Sequence, residues 1–137
     1  MTAYPLRVPF GTRWNDNDQY GHLNNAVYYE AMDTAANSWM IRTAGLDPLG
    51  GDEIALCVAS SCEFRSSAAF PEPLEVGLTV ERLGTTSVTW ALGILRPGED
   101  EPIATGRFVH VFGDAATRRP TPVPAAIRTA IESQLLA

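Results

Sequence analysis

The run Arg13-Trp14-Asn15-Asp16-Asn17-Asp18-Gln19-Tyr20-Gly21-His22-Leu23-Asn24-Asn25 constrains the chain more than any other stretch, because it passes straight into a helical pattern. Tyr28, Met32, Ala35, Ala36 and Trp39 recur at three- and four-residue steps, while Glu30, Asp33, Thr34 and Asn37 fall on another face. The spacing predicts a helix over 25–43. Asn24 or Asn25 suits its cap, since an Asn side chain accepts from the first unpaired backbone N–H groups. Gly45, followed by Pro48, Gly50 and Gly51, stops it. The run therefore brings two carboxylates, an imidazole and a glycine to a helix N-terminus, with its orphan donors and partial positive charge.

A carbonyl oxygen set against those N–H groups would be polarised, and an oxyanion forming on it would be stabilised. A carboxylate beside it can attack the carbonyl carbon or take a proton from water. Asp18 is the stronger candidate of the two acids, because it lies nearer in sequence to Gly21 and the helix start. The same residues also satisfy a reading without chemistry. In it, Asp16, Asp18 and the asparagines build an Asx-turn loop that caps the helix, and His22 is a structural hydrogen-bonding group.

The length of 137 residues matches one domain with a real core. No apolar run approaches membrane-spanning length. Met1-Thr2-Ala3-Tyr4-Pro5 lacks the basic and apolar regions of a secretory leader, so a cytoplasmic location is the expectation. The formal charge is −6 and all ten basic residues are Arg. An acidic chain without a basic stripe argues against nucleic acid or an anionic membrane as partner. The lack of Lys removes Schiff-base chemistry. Cys57 and Cys62 are expected in one strand, with Cα atoms roughly 16 Å apart and side chains on opposite faces. They cannot bridge each other, and with no His cluster nearby they read as small core or interface residues rather than a zinc site.

The remaining pattern is β-rich. A first strand is expected over 6–13, then the polar loop over 14–24, then strands over about 54–65, 74–83, 86–96 and 102–113, and a terminal helix over 125–136. Leu74, Val76, Leu78 and Val80 alternate with Glu75, Gly77, Thr79 and Glu81; Val88, Trp90, Leu92 and Ile94 alternate with Thr89, Ala91 and Gly93. Residues 103–112 are apolar on both parities, as in a strand buried on both faces. Short turns favour antiparallel neighbours. Pro9, lacking an N–H, belongs where that donor is not needed. Strand, long helix, then four strands is an α+β order.

The run at 13–28 resembles the signature of the 4-hydroxybenzoyl-CoA thioesterase-like branch of the hotdog-fold acyl-CoA thioesterases, which reads Arg-aromatic-x-Asp-x-Asp-x-x-Gly-His-Val/Leu-Asn-Asn-x-x-Tyr. Arg13, Trp14, Asp16, Asp18, Gly21, His22, Leu23, Asn24, Asn25 and Tyr28 supply every element. The chain departs from the family at Pro71-Glu72-Pro73, where Gly-Asp is common. The resemblance implies a five-stranded antiparallel sheet wrapped around one long central helix, over 1–137 as a single domain. It implies a homodimer or homotetramer with sites at subunit interfaces, and hydrolysis of an acyl-CoA thioester without metal or other cofactor. It maps the catalytic carboxylate onto Asp18 and the carbonyl-binding backbone N–H onto Asn25. Gly21, His22 and Asn24 would shape the loop or meet substrate.

Coenzyme A is polyanionic, so an acidic chain needs local arginines to hold it. Arg65, Arg82, Arg118 and Arg119 are candidates, with the pair Arg118 and Arg119 preferred. Trp39, Met40 and Phe70 are candidates for an acyl pocket. Two other functions stand beside hydrolysis: a hotdog hydratase or dehydratase, whose Asp-x-Asn-Pro-x-His spacing differs from that of Asp18 and His22, and a non-catalytic acyl-binding module.

Overall fold

A computed structural model describes residues 4–137. Met1, Thr2 and Ala3, on which much of the leader reading rests, lie outside the described residues. The central element is α1 (Asn25–Arg42), whose buried residues are Tyr28, Ala31, Met32, Ala35, Ala36, Trp39 and Met40. These cover nearly half the circumference, so the helix needs a curved surface rather than a flat neighbour. Asn24 is its N-cap, accepting from the Ala26 N–H at 2.9 Å. Gly45, with φ of 82°, turns the chain away at the other end in a conformation that glycine adopts without strain.

Five strands supply the curved surface: β1 (Leu6–Gly11), β2 (Glu53–Phe64), β3 (Pro73–Leu83), β4 (Ser87–Leu95) and β5 (Ala104–Asp114). They form one sheet in the order β1-β3-β4-β5-β2, with every pair antiparallel. On the helix-facing side, Val80 pairs with Trp90 and Trp90 with Phe108, while Leu78 pairs with Leu92 and Leu92 with Gly106. Trp39 of α1 meets Trp90 edge-on, ring centres 5.9 Å apart. At Gly106 a side chain would run into the Met32 sulfur, so the glycine lets helix and sheet approach closely. Burying a side chain of Met32's size contributes about 1.5–3 kcal/mol, and Met32 and Met40 are fully buried.

Several element ends differ from the sequence reading. β1 stops at Gly11 rather than at 13, because Thr12 turns to donate to the Glu72 carbonyl and Arg13 enters a 3-10 turn over Trp14–Asp16. β5 starts at Ala104 rather than at 102, and it is not buried on both faces: Arg107 is exposed and pairs with Glu81. The terminal helix α2 (Ala125–Gln134) ends before 136 because Leu135 and Ala137 exchange backbone hydrogen bonds with Val80 on β3. Pro9 does lie on an edge strand, β1.

Cys57 and Cys62 require a further correction. A bulge between Cys57 and Ala59 inserts one residue, so Cys57 pairs with His110 and Cys62 with Gly106, both on the helix-facing side. The two thiols therefore share a face and are free. No helix among the described residues is long and apolar enough to cross a membrane.

Candidate active site

The polar run folds as a tight hairpin, with Asn17 bridged to Leu23. The Asp18 N–H donates to the His22 carbonyl at 2.9 Å and the Gly21 N–H to the Asp18 carbonyl at 3.1 Å. Gly21 makes the turn with φ of 85°, and open space surrounds it, so its requirement is conformational rather than steric. Asp16 anchors the base of the hairpin. It is 2% exposed, and its carboxylate accepts from the Arg13 N–H at 2.8 Å and from Arg13 Nε at 3.0 Å. Arg13 also reaches Glu30 on α1 at 3.3 Å, tying the loop to the helix.

Asp18 is held differently. One carboxylate oxygen accepts from the Tyr20 N–H at 2.9 Å, the other from the Asn24 side-chain amide at 3.4 Å. Asn24 therefore does two jobs, because its carbonyl oxygen caps α1 while its amide holds Asp18. The Asn25 N–H opens the helix and finds no acceptor among the described residues. That free donor and the carboxylate lie one helix cap apart, with the positive end of an 18-residue dipole behind them.

Asn25 and His22 line a small cleft of about 190 Å³ with Tyr28, Phe64, Arg65 and Ser66. Tyr28 packs edge-on against Phe64 at 5.2 Å, and burial pushes its hydroxyl pKa up. The segment after β2 is fixed from below. Arg65 and Ser66 N–H groups donate to the Ile103 carbonyl, and Arg96 donates to the Ser67 carbonyl and to Glu72. The Arg96 guanidinium holds the Glu72 carboxyl below its ordinary range. The segment also grips the hairpin, since Leu23 N–H donates to the Ala68 carbonyl and Phe70 N–H to the Asn17 side chain.

Of the residues expected from sequence, Asp18, Gly21, His22, Asn24 and Asn25 come together at the α1 N-terminus. Arg118 and Arg119 do not join them within one chain. They sit in the turn after β5, beside the start of β2, whereas the hairpin lies beside its end. Twelve residues of strand separate the two ends, roughly 36 Å. Arg65 is the one candidate arginine lining the cleft. Phe64, Ser66 and Ser67 also line it, some forty residues from the hairpin, and no local pattern marks them. Met40 is core, and Phe70 packs on Trp14 at 6.2 Å. Among the described residues no three His, Cys, Asp or Glu side chains converge as metal ligands would.

This combination of an antiparallel sheet wrapped on one helix and a carboxylate loop at that helix's N-terminus defines a hotdog-fold thioesterase class. The family model of the thioesterase-like superfamily matches residues 12–131, and the chain belongs to that family. Its fold recurs in solved structures. The PA5185 protein of Pseudomonas aeruginosa is 45% identical, with 96% of this chain and 92% of that one covered and a TM-score of 0.93. PA2801 of the same organism, given as a candidate thioesterase, is 29% identical over 94% of this chain and 99% of its own, at a TM-score of 0.86. A 1,4-dihydroxy-2-naphthoyl-CoA thioesterase from Synechocystis shares the fold at 21% identity and a TM-score of 0.81, covering 91% and 93%. No curated protein matches the chain in sequence.

Proposed function

We propose that this thioesterase-family chain hydrolyses acyl-CoA thioesters to free coenzyme A and a carboxylic acid. The feature that carries this reading is Asp18 held on the Asn24 cap, next in the chain to the Asn25 N–H, which has no acceptor among the described residues. The thioester carbonyl oxygen would sit on that N–H, where the helix dipole stabilises the developing oxyanion. Asp18 then acts as nucleophile, forming an anhydride that water cleaves, or as general base removing a proton from the attacking water. In either course the C–S bond breaks, coenzyme A leaves as its thiolate, and the proton released from the attacking water balances the charge by converting that thiolate to the thiol. His22, Gly21 and Asn24 shape the loop and border the substrate. A thioester has a good leaving group, so the oxyanion site, the carboxylate and water suffice.

The assembly proposed is a homodimer, or a tetramer of such dimers, closed through β2. This strand is the sheet's longest and lies at its edge, with Leu56, Val58 and Phe64 exposed. An open apolar edge favours pairing with a copy of itself. Antiparallel pairing about a two-fold axis would lay the start of one β2 beside the end of the other. Arg118 and Arg119 of the partner would then approach the cleft and its Arg65, and could hold coenzyme A phosphates. Arg118 is the only non-glycine residue with positive φ among the described residues, at 64°. Such a conformation costs free energy in an arginine, which suits a side chain kept for binding.

The test is release of free thiol from a panel of acyl-CoA esters, short and long, aliphatic and aromatic, with acyl-carrier-protein thioesters alongside. Turnover of at least one acyl-CoA, abolished by trimming the site, is expected. A panel that yields no thiol above the uncatalysed rate would count against hydrolysis and favour a binding module.

A further inference from the structure

The flank of α1 that looks away from β2 carries a second, larger opening. A groove of about 650 Å³ runs between α1 and β1. It exists because α1 lies over β3, β4 and β5, and leaves the inner side chains of β1, Leu6, Val8 and Phe10, only half covered. At 100° per residue, five of the helix positions lining it, Val27, Ala31, Thr34, Ser38 and Arg42, centre roughly 160° from Tyr29 and Asp33. Those two face β5 and β2: Tyr29 packs against Phe108, and Cys57 has its thiol pKa pushed up by burial, with the nearby Asp33 carboxylate adding to it. Asp18, His22 and Asn25 do not line the groove. It is separate from the cleft, and a dimer closed through β2 would leave it open.

Its chemistry is uneven along its length. The walls are mostly aliphatic and aromatic, and from Val27 to Arg42 the helix spans roughly 22 Å. At the hairpin end the cation is already satisfied, since Arg13 pairs with Asp16 and Glu30. At the other end Arg42 forms no ion pair among the described residues, and no acid lines that end. Beside it, Trp39 lines the groove. An unpaired cation at one end of a long apolar trough fits an amphiphile with one anionic head.

We propose that the groove binds a single long-chain fatty carboxylate, with its chain along Leu6, Val8 and Phe10 and its head on Arg42. The binding is non-covalent and does not depend on thioester hydrolysis, because none of these residues belongs to the cleft. An alcohol of the same length would bury the same chain without using the charge of Arg42.

The probe is ω-bromododecanoate, whose bromine quenches tryptophan fluorescence, titrated below its micelle concentration into the intact chain and into Asp18→Asn. Saturable quenching at one site per chain, equal in both proteins, is expected. Ser38→Phe should abolish it by filling the trough, with Thr34→Phe as the second plug should Ser38→Phe melt early. Arg42→Gln should weaken the carboxylate about fivefold, the scale of an exposed ion pair, and leave the bromo-alcohol unchanged. Absence of saturable quenching overturns the proposal, as does full binding in a folded plugged variant. Displacement by free coenzyme A would move the chain to the cleft and also overturn it. Loss of hydrolysis in Asp18→Asn with intact quenching separates this site from the catalytic reading.

Discussion

Asn24 offers a way to separate helix capping from catalysis at one residue. Its carbonyl oxygen accepts the Ala26 N–H at 2.9 Å, and its amide donates to Asp18 at 3.4 Å. Asn24→Ala removes both. Losing an Asn cap costs about 1 kcal/mol, which for a chain of this size lowers Tm by roughly 3–4 °C. Asn24→Ser keeps a capping oxygen and loses only the amide, so its Tm should stay within about 1 °C of the parent. The bond to Asp18 is long and exposed, on the order of 0.5–1 kcal/mol, so both variants should lose about two- to fivefold in kcat. Circular dichroism melts and initial rates of thiol release, measured on the same preparations, read the two effects. The reasoning fails if Asn24→Ser melts as low as Asn24→Ala, or if it keeps the parent kcat while Asn24→Ala does not.

Two other expectations follow from particular groups. His110 is buried on β5, and burial holds its pKa below the ordinary 6.5, with Asp33 opposing. The unfolded chain therefore takes up a proton as pH falls through about 6.5 while the folded chain does not, so stability should decline from there down to the lowered native pKa and be flat above. Urea unfolding of the parent between pH 7.5 and pH 5.5 should show this decline and His110→Gln should lack it; equal slopes would remove His110 as the cause. Arg118→Gly relieves a left-handed backbone, so Tm should rise by about 2 °C, while KM for acyl-CoA rises roughly threefold or more and that for short pantetheine thioesters stays put. A parallel rise in both KM values would mean the arginine does not touch the coenzyme.

The local features of this chain were legible because their causes are local. The period of Tyr28, Met32, Ala35, Ala36 and Trp39 gave α1 its buried face, and residue type and position narrowed the cap to Asn24 or Asn25, of which Asn24 is the one used. The alternation at Leu74–Val80 and Val88–Ile94 marked two strands for the same reason. What escaped depended on contacts distant in sequence. The bulge at Cys57–Ala59 reverses parity within a strand, and only pairing with β5 reveals it. Arg65, Ser66 and Ser67 reach the cleft because the segment after β2 folds back onto the hairpin through Ala68 and Phe70. Arg118 and Arg119 were preferred over Arg65 as candidates, yet strand topology puts them at the opposite end of β2 from the cleft that Arg65 lines. The groove has no sequence signature, since it is a gap between an edge strand and a helix.

The most direct test of the central claim is kcat of Asp18→Asn on the best acyl-CoA substrate from the panel. Asparagine keeps the shape of the side chain and leaves the Asn25 N–H in place, but it can neither attack the carbonyl as a carboxylate nor accept a proton from water. Its kcat should fall by about 10²–10⁴-fold, the usual worth of a positioned general base, with KM little changed and Tm near that of the parent. A folded Asp18→Asn protein that turns over at close to the parent rate would contradict the assignment of this carboxylate.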